Sequence, residues 1–232
     1  MPTLKHINYW AKLEPGQVYH IYNHAVGDDN LFREPENYAF FLRRWQVYFG
    51  PYLDVYAYCL MPNHFHVLGR FKPLSEAVTA AITQEATSKS EAYLRGEVPV
   101  NAFYEDQFKR FFTSYSRAFG KSYDRVGSLF RAKFKRVIIR DRAHLLDKLL
   151  YIHHNPIHHG FCRSYAEYPY SSYHDYLSGN GERVHLAMLK YFGGSYRTTQ
   201  HNAGESCPIP TTTTPLEGFV QAHEVYRLAF KT

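Results

Sequence analysis

Hydrophobic periodicity divides the chain into short elements of two kinds. Residues 17–23 (QVYHIYN) alternate polar and aromatic positions and predict a first strand. Over residues 36–48, Tyr38, Phe41, Leu42, Trp45 and Tyr48 recur at helical spacing, with Arg43 and Arg44 on another face, and Gly50-Pro51 ends the helix. Residues 53–71 predict one or two strands, with Met61-Pro62-Asn63 as a bend or bulge between them. The Ala-rich residues 73–94 predict a helix. Residues 107–123 predict another, with Phe108, Phe111, Phe112, Tyr115 and Phe119 on an apolar stripe. Residues 127–139 (GSLFRAKFKRVII) predict a basic loop leading into a strand. Residues 141–154 predict a helix with Asp141 as N-cap, Leu145, Leu146, Leu149 and Ile152 at helical spacing, and Pro156 and Gly160 as its stop. Tyr165, Tyr168, Tyr170, Tyr173 and Tyr176 form an aromatic run, and no repeat is visible. Residues 195–215 shift to Thr, Gly, Ser and Pro, predicting a flexible linker before a short C-terminal segment.

Composition narrows the class. A chain of 232 residues with 45% hydrophobic positions can build a substantial core. Its formal charge of +6 favours an acidic partner, with nucleic acid leading. Aromatics reach 17%, enough for some rings to lie near the surface and stack on bases while most fill the core. Cys59, Cys162 and Cys207 are odd in number and widely spaced, which argues against a disulfide framework or zinc knuckle. No run of eighteen apolar residues exists and the N-terminus shows no basic-then-apolar pattern, so no membrane partner and a cytoplasmic location are expected.

Two motifs carry candidate chemistry. In Met61-Pro62-Asn63-His64-Phe65-His66-Val67-Leu68, side-chain alternation along a strand points His64 and His66 to one face and Phe65 to the other. Two imidazoles converging from one strand make a ready pair of metal ligands. In Tyr151-Ile152-His153-His154-Asn155-Pro156, residues 151 and 155 share a helical face if the helix extends that far. A phenol is a nucleophile for a phosphodiester, and an amide oxygen is a third ligand for Mg²⁺ or Mn²⁺ beside two neutral imidazoles. His154 and His158 compete with Asn155 for the third position. Tyr115, with Arg110 and Arg117 nearby, competes with Tyr151 as nucleophile but has Phe119 where Tyr151 has Asn155. Among the cations, Arg131, Lys133 and Lys135 share one face of an extended segment and suit a row of phosphates; Arg125 and Arg136 belong to the same stretch, Arg70 flanks the strand of the histidine pair, and Arg43 and Arg44 are weaker candidates.

His64-Phe65-His66 within AYCLMPNHFHVL, YIHHNP followed by GF, YHIYNHAVG, GSLFRAKFKR and PYSSYHDYL together resemble the REP-associated group of the single-tyrosine HUH (IS200-like) transposases, over roughly residues 15–180. The resemblance implies an α+β fold, an antiparallel sheet flanked by helices in an RRM/ferredoxin-like arrangement. It implies that His64 and His66 hold a divalent metal, that Asn155 is the polar third ligand, and that Tyr151 forms a 5′-phosphotyrosine with single-stranded DNA beside a hairpin. Residues 1–180 are then the catalytic domain and 181–232 an extension, in a monomer or a homodimer. Gly120 and His24 depart from the Asn and Arg that members of the group often carry. A non-catalytic RRM-like binding module and a domesticated relative are the alternatives. A histidine-triad hydrolase needs a further His at position 68, where this chain has Leu.

Overall fold

The computed structural model describes residues 7–192 and 214–230. These gather into two compact units, one from residues 7–55 and 60–139, the other from residues 56–59, 140–192 and 214–230. The linker expected over residues 195–215 falls, up to residue 213, outside the described residues.

The first unit is built on a four-stranded sheet in the order β2-β3-β1-β4: β1 (Val18–His24), β2 (Leu53–Met61), β3 (His64–Phe71) and β4 (Lys135–Ile138). Strand β1 is antiparallel to β3, from Val18 opposite Arg70 to His24 opposite His64, and antiparallel to β4, from Tyr19 opposite Ile138 to Tyr22 opposite Lys135. Pro62 and Asn63 form the tight turn between β2 and β3, which fixes where the two histidines begin. Helix α1 (Pro35–Phe49) connects β1 to β2, so β3 lies between two strands joined by a helix: the split βαβ unit of ferredoxin-like folds.

Alternation sorts the sheet's side chains. Tyr19, Ile21, Phe65, Val67 and Phe71 are fully or almost fully buried on the helical face. Phe65 meets Phe41 of α1 at 5.1 Å between ring centroids and Phe112 of α4 (Val100–Tyr123) at 6.2 Å. Each such ring stabilises the unit by about 1.5–3 kcal/mol, and together they hold the strand that carries His64 and His66. His20, Tyr22, His24, His64, His66 and Arg70 take the other face by the same register.

Local signals explain where elements differ from expectation. The helix expected over residues 73–94 is two, α2 (Glu76–Gln84) and α3 (Ser88–Leu94). Ala86 sits at φ 46° between them, and the Thr87 side chain caps α3 by accepting from the Ser90 amide. Helix α4 starts seven residues before the expected position 107, at Val100 after Pro99. Buried Phe103 and Tyr104 extend its apolar stripe to rings of Tyr52 and Phe71.

The second unit is helical: α5 (Arg142–His158), a 3₁₀ turn at Tyr165–Glu167, α6 (Tyr173–Ser178), a 3₁₀ segment at Leu186–Tyr191 and α7 (Pro215–Ala229). Asp141 caps α5 as expected, accepting from the His144 amide. Pro156 does not stop it. The ring removes one donor, whose acceptor would be the Ile152 carbonyl, and the last turn is completed by His159 donating to Asn155 and Phe161 to Pro156. Gly160, at φ 74°, then ends the segment.

Helix α7 docks through Phe219, whose ring stacks on Tyr173 and Tyr176. Gly218 permits the approach, since a Cβ there would overlap the Phe192 carbonyl oxygen. A buried relay ties α7 to α5. Ser172 Oγ donates to His153 Nε2 at 2.7 Å, His153 Nδ1 donates to His223 Nε2 at 2.8 Å, and His223 Nδ1 donates to the Phe219 carbonyl. Every ring nitrogen is used with both imidazoles neutral. Burial holds His153 well below the ordinary histidine range and brings His223 down to about 3. The unfolded chain takes up those protons near pH 6.5, so stability is complete above that pH and declines as pH falls toward the folded values. Moving from pH 7.5 to 5 is expected to remove about 2 kcal/mol through His223 alone, at ~1.4 kcal/mol per unit below 6.5. Urea denaturation at the two pH values measures this, and an unchanged midpoint would contradict it.

No helix among the described residues is long and apolar enough to cross a membrane.

Candidate nucleic-acid processing site

The His64-Phe65-His66 pair opens β3, immediately after the Pro62-Asn63 turn. Both imidazoles are buried, and their ring centroids lie 5.0 Å apart, nearly perpendicular. His64 Nδ1 lies 2.7 Å from Asn63 Oδ1. Since that oxygen only accepts, Nδ1 carries the proton and Nε2 the lone pair. His66 Nδ1 lies 2.9 Å from His20 Nε2, a contact in which one imidazole donates and the other accepts. Hydrogen bonds at one ring nitrogen that orient the other are the supporting contacts of histidine metal ligands.

The register of β1 against β3 surrounds this pair with side chains that the local motif does not reveal. His24 stacks on His64 at 4.7 Å, Tyr22 approaches His66 at 5.3 Å, and His20 stacks on Tyr22 at 4.8 Å. The departure at His24 therefore lies directly beside a candidate ligand. Among the described residues no three His, Cys, Asp or Glu side chains form a metal-holding group.

In the second unit, α5 reaches far enough to put Tyr151 and Asn155 on one face. Asn155 Nδ2 donates to the Tyr151 carbonyl at 2.9 Å, fixing the amide one turn after the phenol. Tyr151 is half-buried, with the Lys148 ammonium 4.6 Å from its ring centre. Burial pushes the phenol above its ordinary value of 10, and a hydrogen bond with the Asn155 side chain pulls it the other way. His154 turns into the unit's core, its Nδ1 3.2 Å from the Tyr165 hydroxyl and its ring beside Tyr226, while His158 is exposed near the helix end. Tyr115 belongs to the core of the first unit. It is 1% exposed, donates to the Leu31 carbonyl at 2.6 Å, and has a phenol raised strongly by burial.

The cations divide into two groups. Arg125 directs its guanidinium to Asp29 and to the Gly127 and Ser128 carbonyls, and Arg136 to the Ala11 carbonyl and Glu105. Both brace the fold. Arg70 pairs with Asp54 at 3.0 Å. Arg131 and Lys133 are exposed, in an irregular stretch before β4 rather than on an extended row. Lys135 lies on β4 with its ammonium near the rings of Tyr9 and Tyr22, at 4.8 and 5.6 Å.

A four-stranded antiparallel sheet, helices on one face and a histidine pair on the other define an α+β protein of RRM/ferredoxin-like architecture. No protein-family model matches the chain. A curated protein of Haemophilus influenzae, "Putative REP-associated tyrosine transposase", is 26% identical over 123 residues, 52% of this chain and 59% of that protein. The chain thus matches about three fifths of that relative's length. A solved structure of a REP-associated tyrosine transposase bound to a REP hairpin is similar in fold, with a TM-score of 0.52 and 15% identity, covering 86% of this chain and 98% of that one. Both of these similar proteins carry the name of the group that the motifs resemble, the REP-associated tyrosine transposases.

Proposed function

We propose that this chain is a divalent-metal-dependent endonuclease and strand transferase of transposase type, which recognises hairpin DNA and cuts an adjoining single strand through a phosphotyrosine. The observation that carries this reading is the histidine pair itself: His64 and His66 share one face of β3 with ring centroids 5.0 Å apart, Asn63 lying at Nδ1 of the first and His20 at Nδ1 of the second. Two imidazoles with phosphate oxygens would hold Mn²⁺ or Mg²⁺, and the Asn155 amide oxygen is the proposed third ligand. The hairpin partner rests on the relative solved with a REP hairpin and on the chain's net charge of +6.

The bound cation would polarise the scissile phosphate and offset charge on its equatorial oxygens. Tyr151 Oη attacks phosphorus, the bond from phosphorus to the 3′-oxygen breaks, and the phenol's proton ends on the released 3′-OH. The 5′-phosphotyrosine conserves the bond energy, so attack by another 3′-OH rejoins strands without ATP. Asn155 holds the turn of α5 that presents the phenol, and Lys148 sets a positive charge at its ring. The chemistry requires Tyr151 and the histidine pair to address one phosphodiester, within a monomer or between the chains of a homodimer.

Labelled hairpin DNA with a single-stranded flank, incubated with the protein and Mn²⁺ and run on a denaturing gel, tests the reading. A covalent protein–DNA band supports it. Binding with no covalent product under any divalent metal would make the chain a binding module instead.

A further inference from the structure

On the helical side of the sheet, away from His64 and His66, a groove of about 770 Å³ runs between α4 and the segment preceding β4. One wall is a stripe of α4: Lys109, Thr113, Ser116, Arg117, Gly120 and Lys121, spaced so that they share a face. Lys109, Arg117 and Lys121 are exposed and make no ion pair among the described residues. The facing wall carries Arg131, exposed with its Nε turned to the Ala25 carbonyl, and Val126, 94% exposed. The acid of this groove, Glu105, is paired with Arg136. The walls approach closely at Gly120, where a Cβ would press on the Arg125 carbonyl oxygen at 2.8 Å.

We infer that this groove binds the phosphate backbone of a duplex DNA stem, with Lys109, Arg117 and Lys121 as the contacting residues. The inference rests on the proposed function for its choice of DNA and adds a contact surface separate from the histidine face. Lys109 and Lys121 are twelve residues apart, about 18 Å along the helix axis, a length that spans about five phosphates of one B-form strand. A single strand would call for exposed rings on which bases stack. Here Phe130 and Phe134 are 4% and 9% exposed, and both pack against Phe112 at 4.7 and 5.7 Å. Cations without a stacking platform suit a duplex backbone and carry no base preference.

The test is the salt dependence of hairpin binding by the full chain and by the K109Q/R117Q/K121Q variant, all three changes lying at exposed positions. Loss of three phosphate contacts lowers the slope of log affinity against log salt by about 2.7. Affinity is then expected to fall at least tenfold at 100 mM salt for a stem-bearing probe, and much less for an unpaired strand of equal length. A circular dichroism spectrum and thermal midpoint matching wild type confirm that the variant is folded. An unchanged slope and affinity for the stem would overturn the groove assignment, while a covalent adduct formed by the same protein would leave the proposed function standing. Equal losses for stem and unpaired strand would also overturn the assignment to a duplex. A wild-type chain that neither binds nor cuts DNA would overturn both.

Discussion

Tyr151→Phe is expected to abolish covalent attachment of DNA while leaving hairpin affinity within about twofold of wild type. The substitution removes one oxygen from a half-buried ring and keeps its contact with the Lys148 ammonium. The helix itself is held by the Asp141 cap and by the Asn155 amide, which bonds to the backbone of residue 151 and not only to its side chain. Chemistry and folding are therefore separable at this position. If Tyr151 is the nucleophile, no other group replaces it, and the loss in strand cleavage should exceed about 10³-fold, or about 4 kcal/mol of transition-state stabilisation. Tyr115→Phe is the matched control. Its hydroxyl donates to the Leu31 carbonyl inside the core, so its removal should lower stability by about 1 kcal/mol and leave the adduct intact. Gel quantification of the adduct for both variants, with urea denaturation for each, separates the two roles. Persistent cleavage by the Tyr151→Phe variant would exclude Tyr151 as the nucleophile.

His64→Ala combined with His66→Ala is expected to remove the response to Mn²⁺ together with cleavage. Each imidazole is oriented by a different neighbour, His64 by Asn63 and His66 by His20, so neither can take over the other's geometry. Loss of both imidazoles leaves the proposed site with oxygen donors alone, a set that holds a divalent cation weakly at millimolar concentration. Supporting contacts of this kind usually change affinity or activity by ~10–100-fold. His20→Ala is therefore expected to need a higher Mn²⁺ concentration by about that factor and to keep the nucleophile. Cleavage titrated against Mn²⁺ for wild type, the double variant and His20→Ala measures the order. A double variant with an unaltered metal curve would remove the histidines from the reaction.

Much of this architecture was legible in the sequence because its strongest signals are local. Alternation in NHFHVL sends both histidines to one side of a strand, and the tight Pro62-Asn63 turn fixes the start of that strand. Helix α5 was readable from the Asp141 cap and its leucines, but Pro156 read as its stop, whereas the helix runs on to His158 and holds Tyr151 and Asn155 a turn apart. What escaped depends on pairing between distant segments. His20 and His24 join the histidine pair only through the β1–β3 register, which no single motif encodes. Tyr-Glu-Asp at residues 104–106 interrupts the apolar pattern, so the early start of α4 was hidden. The split between α2 and α3 turns on the unusual backbone of one alanine, Ala86. Basic residues were the least legible, because a charge pattern does not distinguish Arg125 and Arg136, bound to carbonyls and carboxylates of their own unit, from the exposed Arg131 and Lys133. The C-terminal segment showed no motif, yet His223 within it completes a buried chain of hydrogen bonds with His153.

In the presence of the histidine pair and a divalent metal, the phenol of residue 151 is expected to become bonded to DNA phosphorus. Mass spectrometry of proteolytic fragments from the protein–DNA adduct tests it most directly. A nucleotide phosphate on Tyr151, present in wild type and absent from the protein lacking both His64 and His66, is the result this account predicts. Attachment at any other residue, or attachment at Tyr151 that persists without the two histidines, would contradict it.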